Sequence, residues 1–173
     1  MADAIYFSAK MLGGGQIGDT VTEKRLPAIF GKGSLPARLR SFTHGTGANQ
    51  VNKLFVAQRT LATLTFDNLD LAGGLNDYNG AAITFTFLKW AYIAIVSPDG
   101  TKSLRVGPQN QLNALPGGWG GVGATVYQTL YTDWEDYRPI TGHAVTAGTG
   151  DIFPIYNPGA GNVTYAILLA GLG

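Results

Sequence analysis

The 173-residue chain contains no cysteine. That excludes a disulfide framework, a thiolate metal site and a cysteine nucleophile, and it leaves the redox compartment open. Only two histidines occur, His44 and His143, each flanked by glycine and threonine as in loops. Without cysteine or an H-x-x-x-H spacing they form no metal-ligand pattern. Charged residues make up 13% of the chain, about half the usual share. No G-x-S-x-G elbow is present, and the stretches GGGQIG and GTGANQ lack the Lys-Ser/Thr of a phosphate loop. The expectation is therefore a protein that is not an enzyme, with no catalytic residue, no metal and no cofactor. Long apolar runs are missing too. The C-terminal run Ala166–Ala170 is far too short to span a bilayer. Residues 1–15 lack the basic-then-apolar pattern of a signal peptide, so no membrane partner is expected.

What is present is glycine and apolar side chains. Hydrophobic residues at 45%, with a net charge of +1, can build a core, which excludes global disorder. The 25 glycines and 8 prolines follow no collagen period. The length suits one domain of ordinary size. The small net charge is a cancellation. Residues 1–60 carry eight basic against three acidic residues, a net of +5, and residues 61–173 carry four against eight, a net of −4. Such asymmetry suits an attachment arm or a head-to-tail assembly surface, and its plainer reading is a solvated basic loop. Lys24, Arg25, Lys32, Arg38 and Arg40 have no acidic residue among them and form a candidate docking set for an acidic protein surface. Phosphate contact would use the same residues, but so small a net charge disfavours nucleic acid as the partner.

Glycine and proline interrupt every candidate helix in residues 1–60, which predicts an extended arm with short strands. From residue 50 the pattern is β. ITFTF alternates Ile83, Phe85 and Phe87 with Thr84 and Thr86, as in a half-buried strand. Trp90–Val96 is strongly apolar, and the turn Ser97–Gly100 predicts a hairpin to Ser103–Val106. Ala124–Tyr131, Ala144–Thr146, Asp151–Tyr156 and Val163–Leu169 complete the strands, the last two joined as a hairpin through residues 157–162. Short strands between turn signals, with no helical period and no long repeat, indicate an all-β antiparallel β-sandwich, jelly-roll-like. The expected division is a basic arm over 1–50 and a sandwich over 51–173.

Two side-chain groups invite a binding role. Tyr131, Trp134 and Tyr137, with Trp119 from the PGGWGG loop, could form a sugar-binding platform; a packed aromatic patch is the plainer reading. Asp133, Glu135 and Asp136 could supply an acid/base pair, but no partner at fixed spacing accompanies them. The acidic DNLDLAGGLND stretch fails the spacing of a calcium loop and reads as a turn.

Two longer stretches carry a family resemblance. One is SFTHGTGANQVNKLFVAQRTLA followed by LDLAGG, and the other is ITGHAVTAGTGDIFPIYNPGAGNVTYAILLAG. Their recurring elements are Gly45–Gln50, Arg59–Leu61, Leu69–Gly73, Ala144–Asp151 and Asn157–Tyr165. Over residues 41–173 the chain resembles a family of small, poorly characterised virion structural proteins of tailed phages. The two-tryptophan region 107–138 departs from the simpler loop of that pattern. The resemblance implies a β-sandwich located in the virion, without catalysis, and transfers no functional residue. Its implied role is a capsid-decorating or head-associated subunit acting by arm docking and intersubunit β contacts. The partners would be other virion proteins, such as the major capsid protein, and further copies of itself, a trimer being one candidate state. The alternative is a receptor- or glycan-binding module of a virion or secreted protein.

Overall fold

The computed structural model describes residues 6–10, 16–18, 23–25, 39–77, 80–96, 100–115 and 126–173, with side chains from residue 42 onward. All regular structure among them is β. The N-terminal strands are β1 (Tyr6–Lys10), β2 (Gln16–Gly18), β3 (Glu23–Arg25), β4 (Leu39–His44) and β5 (Gln50–Val51). Then come β6 (Lys53–Leu61), β7 (Phe66–Asp70), β8 (Leu75–Asn76), β9 (Ala82–Ile83), β10 (Phe87–Ile95) and β11 (Leu104–Val106). The last are β12 (Gln128–Leu130), β13 (Asp133–Tyr137), β14 (His143–Ala144), β15 (Ile152–Tyr156) and β16 (Val163–Leu172).

Eight of these strands build the body as two facing sheets. One runs β6-β16-β10-β13, with β14 also on β10, and the other runs β7-β15-β11-β12. The antiparallel pairs β6–β16, β7–β15, β10–β13 and β11–β12 form one long ribbon folded at its tip between β11 and β12. Rolling that ribbon lays β10 on β16 and β11 on β15. This is a jelly roll. The inner core between the sheets includes Phe55, Leu69, Phe85, Ile93, Ile95, Phe153, Ile155, Ile167 and Leu169, all buried.

Rolling overturns both expected hairpins. β10 and β11 lie in different sheets, as do β15 and β16. β10 is buried along nearly its whole length and already has β16 on one side and β13 and β14 on the other, so no edge is left for β11. The ITFTF strand is also cut short. Only Ala82–Ile83 pairs, with β8, before Phe85 N–H donates to Leu71 O and Thr86 N–H to Leu172 O. The side-chain alternation holds only from Ile83 to Thr86, with Ile83 and Phe85 buried and Thr84 and Thr86 exposed; Phe87, expected on the buried face, is 39% exposed.

A second apolar cluster lies on the outer face of the β6-β16-β10-β13 sheet. It contains Val56, Trp90, Tyr92, Ala94, Ala166, Leu168 and Ala170, joined by Phe42 and Val51. Phe42 comes from the small sheet β1-β4-β5 and packs against Trp90 (ring centroids 6.2 Å apart) and Tyr137 (5.6 Å). The segment expected as an arm thus contributes a core residue. Lys89 ties the two layers together. It is the extra residue where the β10–β16 register shifts between Leu88 and Trp90. Its ammonium donates to Gly47 O (2.7 Å) and Gln50 O (3.0 Å), anchoring the GTGANQ loop. Burial lowers the Lys89 pKa. Across the bulge only glycine fits at 171, because a Cβ there would lie 2.0 Å from Phe87 O.

Candidate functional site

The outer face of the β7-β15-β11-β12 sheet differs from the sealed one. Leu69, Leu104, Val106, Phe153 and Ile155 point inward, so strand alternation sends Phe66, Arg105 and Tyr156 outward. Register places Phe66 opposite Tyr156 and Tyr156 opposite Arg105, a row across three strands. The Phe66 and Tyr156 rings stack at 4.5 Å. The Arg105 guanidinium lies 4.4 Å from the Tyr127 ring and 6.0 Å from that of Tyr156. All four side chains are half-buried. Arg59 and Arg138 are paired with Asp67 and Asp136 respectively, whereas Arg105 has no carboxylate partner among the described residues. A stacked guanidinium keeps its in-plane N–H donors available for a planar anion.

Beside this row the ribbon tip forms a cleft of about 430 Å³, within the usual range of ligand sites. Pro108, Asn110, Gln111, Leu112, Asn113 and Thr149 line it. These residues, Thr149 apart, lie in the connection between β11 and β12. Asn110 (φ 60°) and Asn113 (φ 59°) hold left-handed backbone, which costs a non-glycine residue energy and is enriched at binding sites. Gln111 is fixed by Asn68 Nδ2, which donates to its Oε1 at 2.9 Å. Asn113 O accepts the N–H groups of Asp151 and Ile152, joining the tip to the 146–151 turn. Asp151 is 7% exposed, with Oδ2 accepting from Gly148 N–H at 2.6 Å and Oδ1 unpartnered among the described residues.

The remaining polar groups are fasteners. Tyr165 O–H donates to Asp67 Oδ2 at 2.6 Å, and Arg59 clasps the same carboxylate, so Asp67 of one sheet is tied to two strands of the other. Burial and then the Asp67 charge raise the Tyr165 pKa well above that of an ordinary phenol. The hydrogen bond to Asp67 raises that of Arg59. Fully buried Asn157 donates to the Leu61, Ala62 and Gly161 carbonyls and accepts from Gly159 N–H, holding the crossover into β16. Asp136 pairs with buried His143 and with Arg138. Burial opposes its charge, but the hydrogen bond and charge of His143, together with Arg138, outweigh that and hold the carboxyl below its usual value.

The residues singled out from sequence do not assemble into one site. Trp134 and Tyr137 lie on opposite faces of their sheet: Trp134 is buried in the inner core against Phe153, and Tyr137 packs on Phe42 in the outer cluster. Tyr131 is 58% exposed and Trp119 lies outside the described residues. The carboxylates also divide. Glu135 accepts from Trp90 Nε1 at 2.9 Å, whereas Asp136 faces His143. Of the basic set, Lys24 and Arg25 belong to β3 and Arg40 to β4, but these three side chains are outside the described residues, as are Lys32 and Arg38 altogether. Among the described residues no group of three or more His, Cys, Asp or Glu is placed to hold a metal ion. Arg105 was legible only as a lone charge in an apolar strand, and the tyrosines around it come from distant segments. Compared with known proteins, the chain matches no family model, no curated relative and no solved structure.

Proposed function

We propose that this protein is a structural subunit of a bacteriophage virion, capsid-decorating or head-associated, that acts by docking and assembly and not by catalysis. The observation that carries the reading is the rolled ribbon with a third layer over one sheet. The jelly roll is a common architecture of viral capsid and lectin domains, which supports the reading by fold-level analogy. A body closed on both faces of its central sheet offers its edges and its basic N-terminal residues as contact surfaces. β6, nine residues long, has a strand partner, β16, on one side only among the described residues, an edge that can take a strand from a neighbouring copy. Lys24, Arg25, Lys32, Arg38 and Arg40 would dock on an acidic surface of another virion protein, the major capsid protein being the foremost candidate.

Mass spectrometry of purified particles from the source phage tests the location, with the chain expected at the copy number of a repeated subunit. Its absence from washed particles contradicts the proposal. Reversing the five basic residues to glutamate tests the docking step. Loss of co-sedimentation with particles is expected from a variant that still melts cooperatively, and full co-sedimentation overturns basic-segment docking.

A further inference from the structure

We propose that the outer face of the β7-β15-β11-β12 sheet, with the cleft at the ribbon tip, binds a saccharide that bears a carboxylate. Arg105 takes the carboxylate and the cleft side chains take the hydroxyls. Two separate observations meet here. The first is the stacked guanidinium of Arg105, held between Tyr127 and Tyr156 without a carboxylate partner among the described residues. Its half-burial strengthens a charge-assisted pair relative to one in open water, and its planar fork matches a carboxylate bidentately.

The second is the chemistry of the cleft. Among the described residues its lining has no charged side chain, so an ionic ligand group finds no counter-charge from them. The amides of Asn110 and Asn113 and the hydroxyl of Thr149 make no hydrogen bond among the described residues. Each amide offers a donor and an acceptor, which suits vicinal hydroxyls that do both. Leu112, 84% exposed, supplies an apolar surface for the C–H face of a sugar ring. The two parts are close. Gln111 of the cleft is bonded to Asn68, which alternates with Phe66 on the same outward face of β7, about 7 Å along the strand. A nucleic acid or acidic peptide would need several cations, whereas among the described residues this row carries Arg105 alone.

The test is a glycan array of neutral, sialylated and uronate-containing oligosaccharides, followed by calorimetric titration with the strongest binder and with its neutral counterpart. Arg105→Gln removes the charge. The double variant Asn110→Gly/Asn113→Gly deletes both amides while glycine keeps the left-handed backbone at no strain. Arg105→Lys keeps a cation without the planar fork, in case the glutamine variant unfolds. The expected result is binding of carboxylate-bearing sugars, weakened about tenfold or more by Arg105→Gln and by removal of the sugar's carboxylate. A smaller but measurable loss is expected in the Asn double variant and in Arg105→Lys, with cooperative melting retained. A flat array, equal binding of the neutral counterpart, or undiminished binding by either arginine variant overturns the proposal. None of these results depends on particle association, which uses other surfaces.

Discussion

The two sheets of the roll share one core but meet their surroundings differently. β10 and β16 in one sheet are buried on both faces, and Trp90, Tyr92 and Leu168 on the outer side are as inaccessible as Ile93 and Leu169 on the inner. In the other sheet Phe66, Arg105 and Tyr156 on the outer side stay half-exposed. β10 and β16 are therefore almost continuously apolar in sequence, whereas β11, Leu-Arg-Val, alternates buried and half-exposed side chains. The difference separates two jobs. A sheet sealed on both sides supplies stability, since each fully buried large apolar side chain contributes about 1.5–3 kcal/mol. A sheet with one open face can carry polar and aromatic groups without sacrificing the core.

Adjacent leucines offer the strongest way to break this contrast. Leu168→Ala removes an outer-face side chain and Leu169→Ala an inner-face one, both at most 1% exposed. Each is expected to cost about 2–5 kcal/mol in urea unfolding. A cost below about 1 kcal/mol for Leu168→Ala alone would show that the outer cluster is not a core. Next in size is Asp67→Asn, which loosens the clasp between the sheets. A loss of about 1–3 kcal/mol is expected, tempered because the Arg59 side chain is 40% exposed. No loss would mean that Arg59 and Tyr165 find other partners.

Two pH effects are smaller. Tyr165 is held protonated in the folded state while its unfolded phenol ionises near pH 10. Above about pH 10 the native state retains a proton that the unfolded chain has released, so stability falls as pH rises. Tyr165→Phe is expected to flatten that alkaline slope, measured as unfolding free energy against pH. Asp136 acts at the other end. Its folded carboxyl lies below the ordinary value of 3.8, so its contribution is present above about pH 4 and is lost as pH falls through the lower folded value. Asp136→Asn should shallow the acid limb, and an unchanged limb would assign the acid loss to other carboxylates.

The class of fold was legible in the sequence, and so was the special status of its central strands. WAYIAIV and YAILLA are apolar without alternation, which is how a strand covered on both faces reads. The pairing was not legible. Turn residues after Val96 and at 157–162 mark a change of direction, but the same chemistry serves a hairpin or a crossing between sheets. The true neighbours are remote: Lys53 in β6 pairs near Gly171, at the far end of the chain. The row around Arg105 was hidden for the same reason, because Phe66, Tyr127 and Tyr156 belong to three separate segments. The aromatic cluster at 131–137 misled in the opposite way. Its side chains are close in sequence, but a strand sends Trp134 and Tyr137 to opposite faces.

Hydroxyl-radical footprinting of the folded protein, read by peptide mass spectrometry, tests the contrast between the sheets most directly. Each sheet carries aromatic residues on its outer face, so chemically similar reporters are compared within one molecule. The account predicts strong protection of Trp90 and Tyr92, which are 2% and 0% exposed, and ready labelling of Phe66 and Tyr156. Labelling of Trp90 and Tyr92 as fast as that of Phe66 and Tyr156 would contradict it.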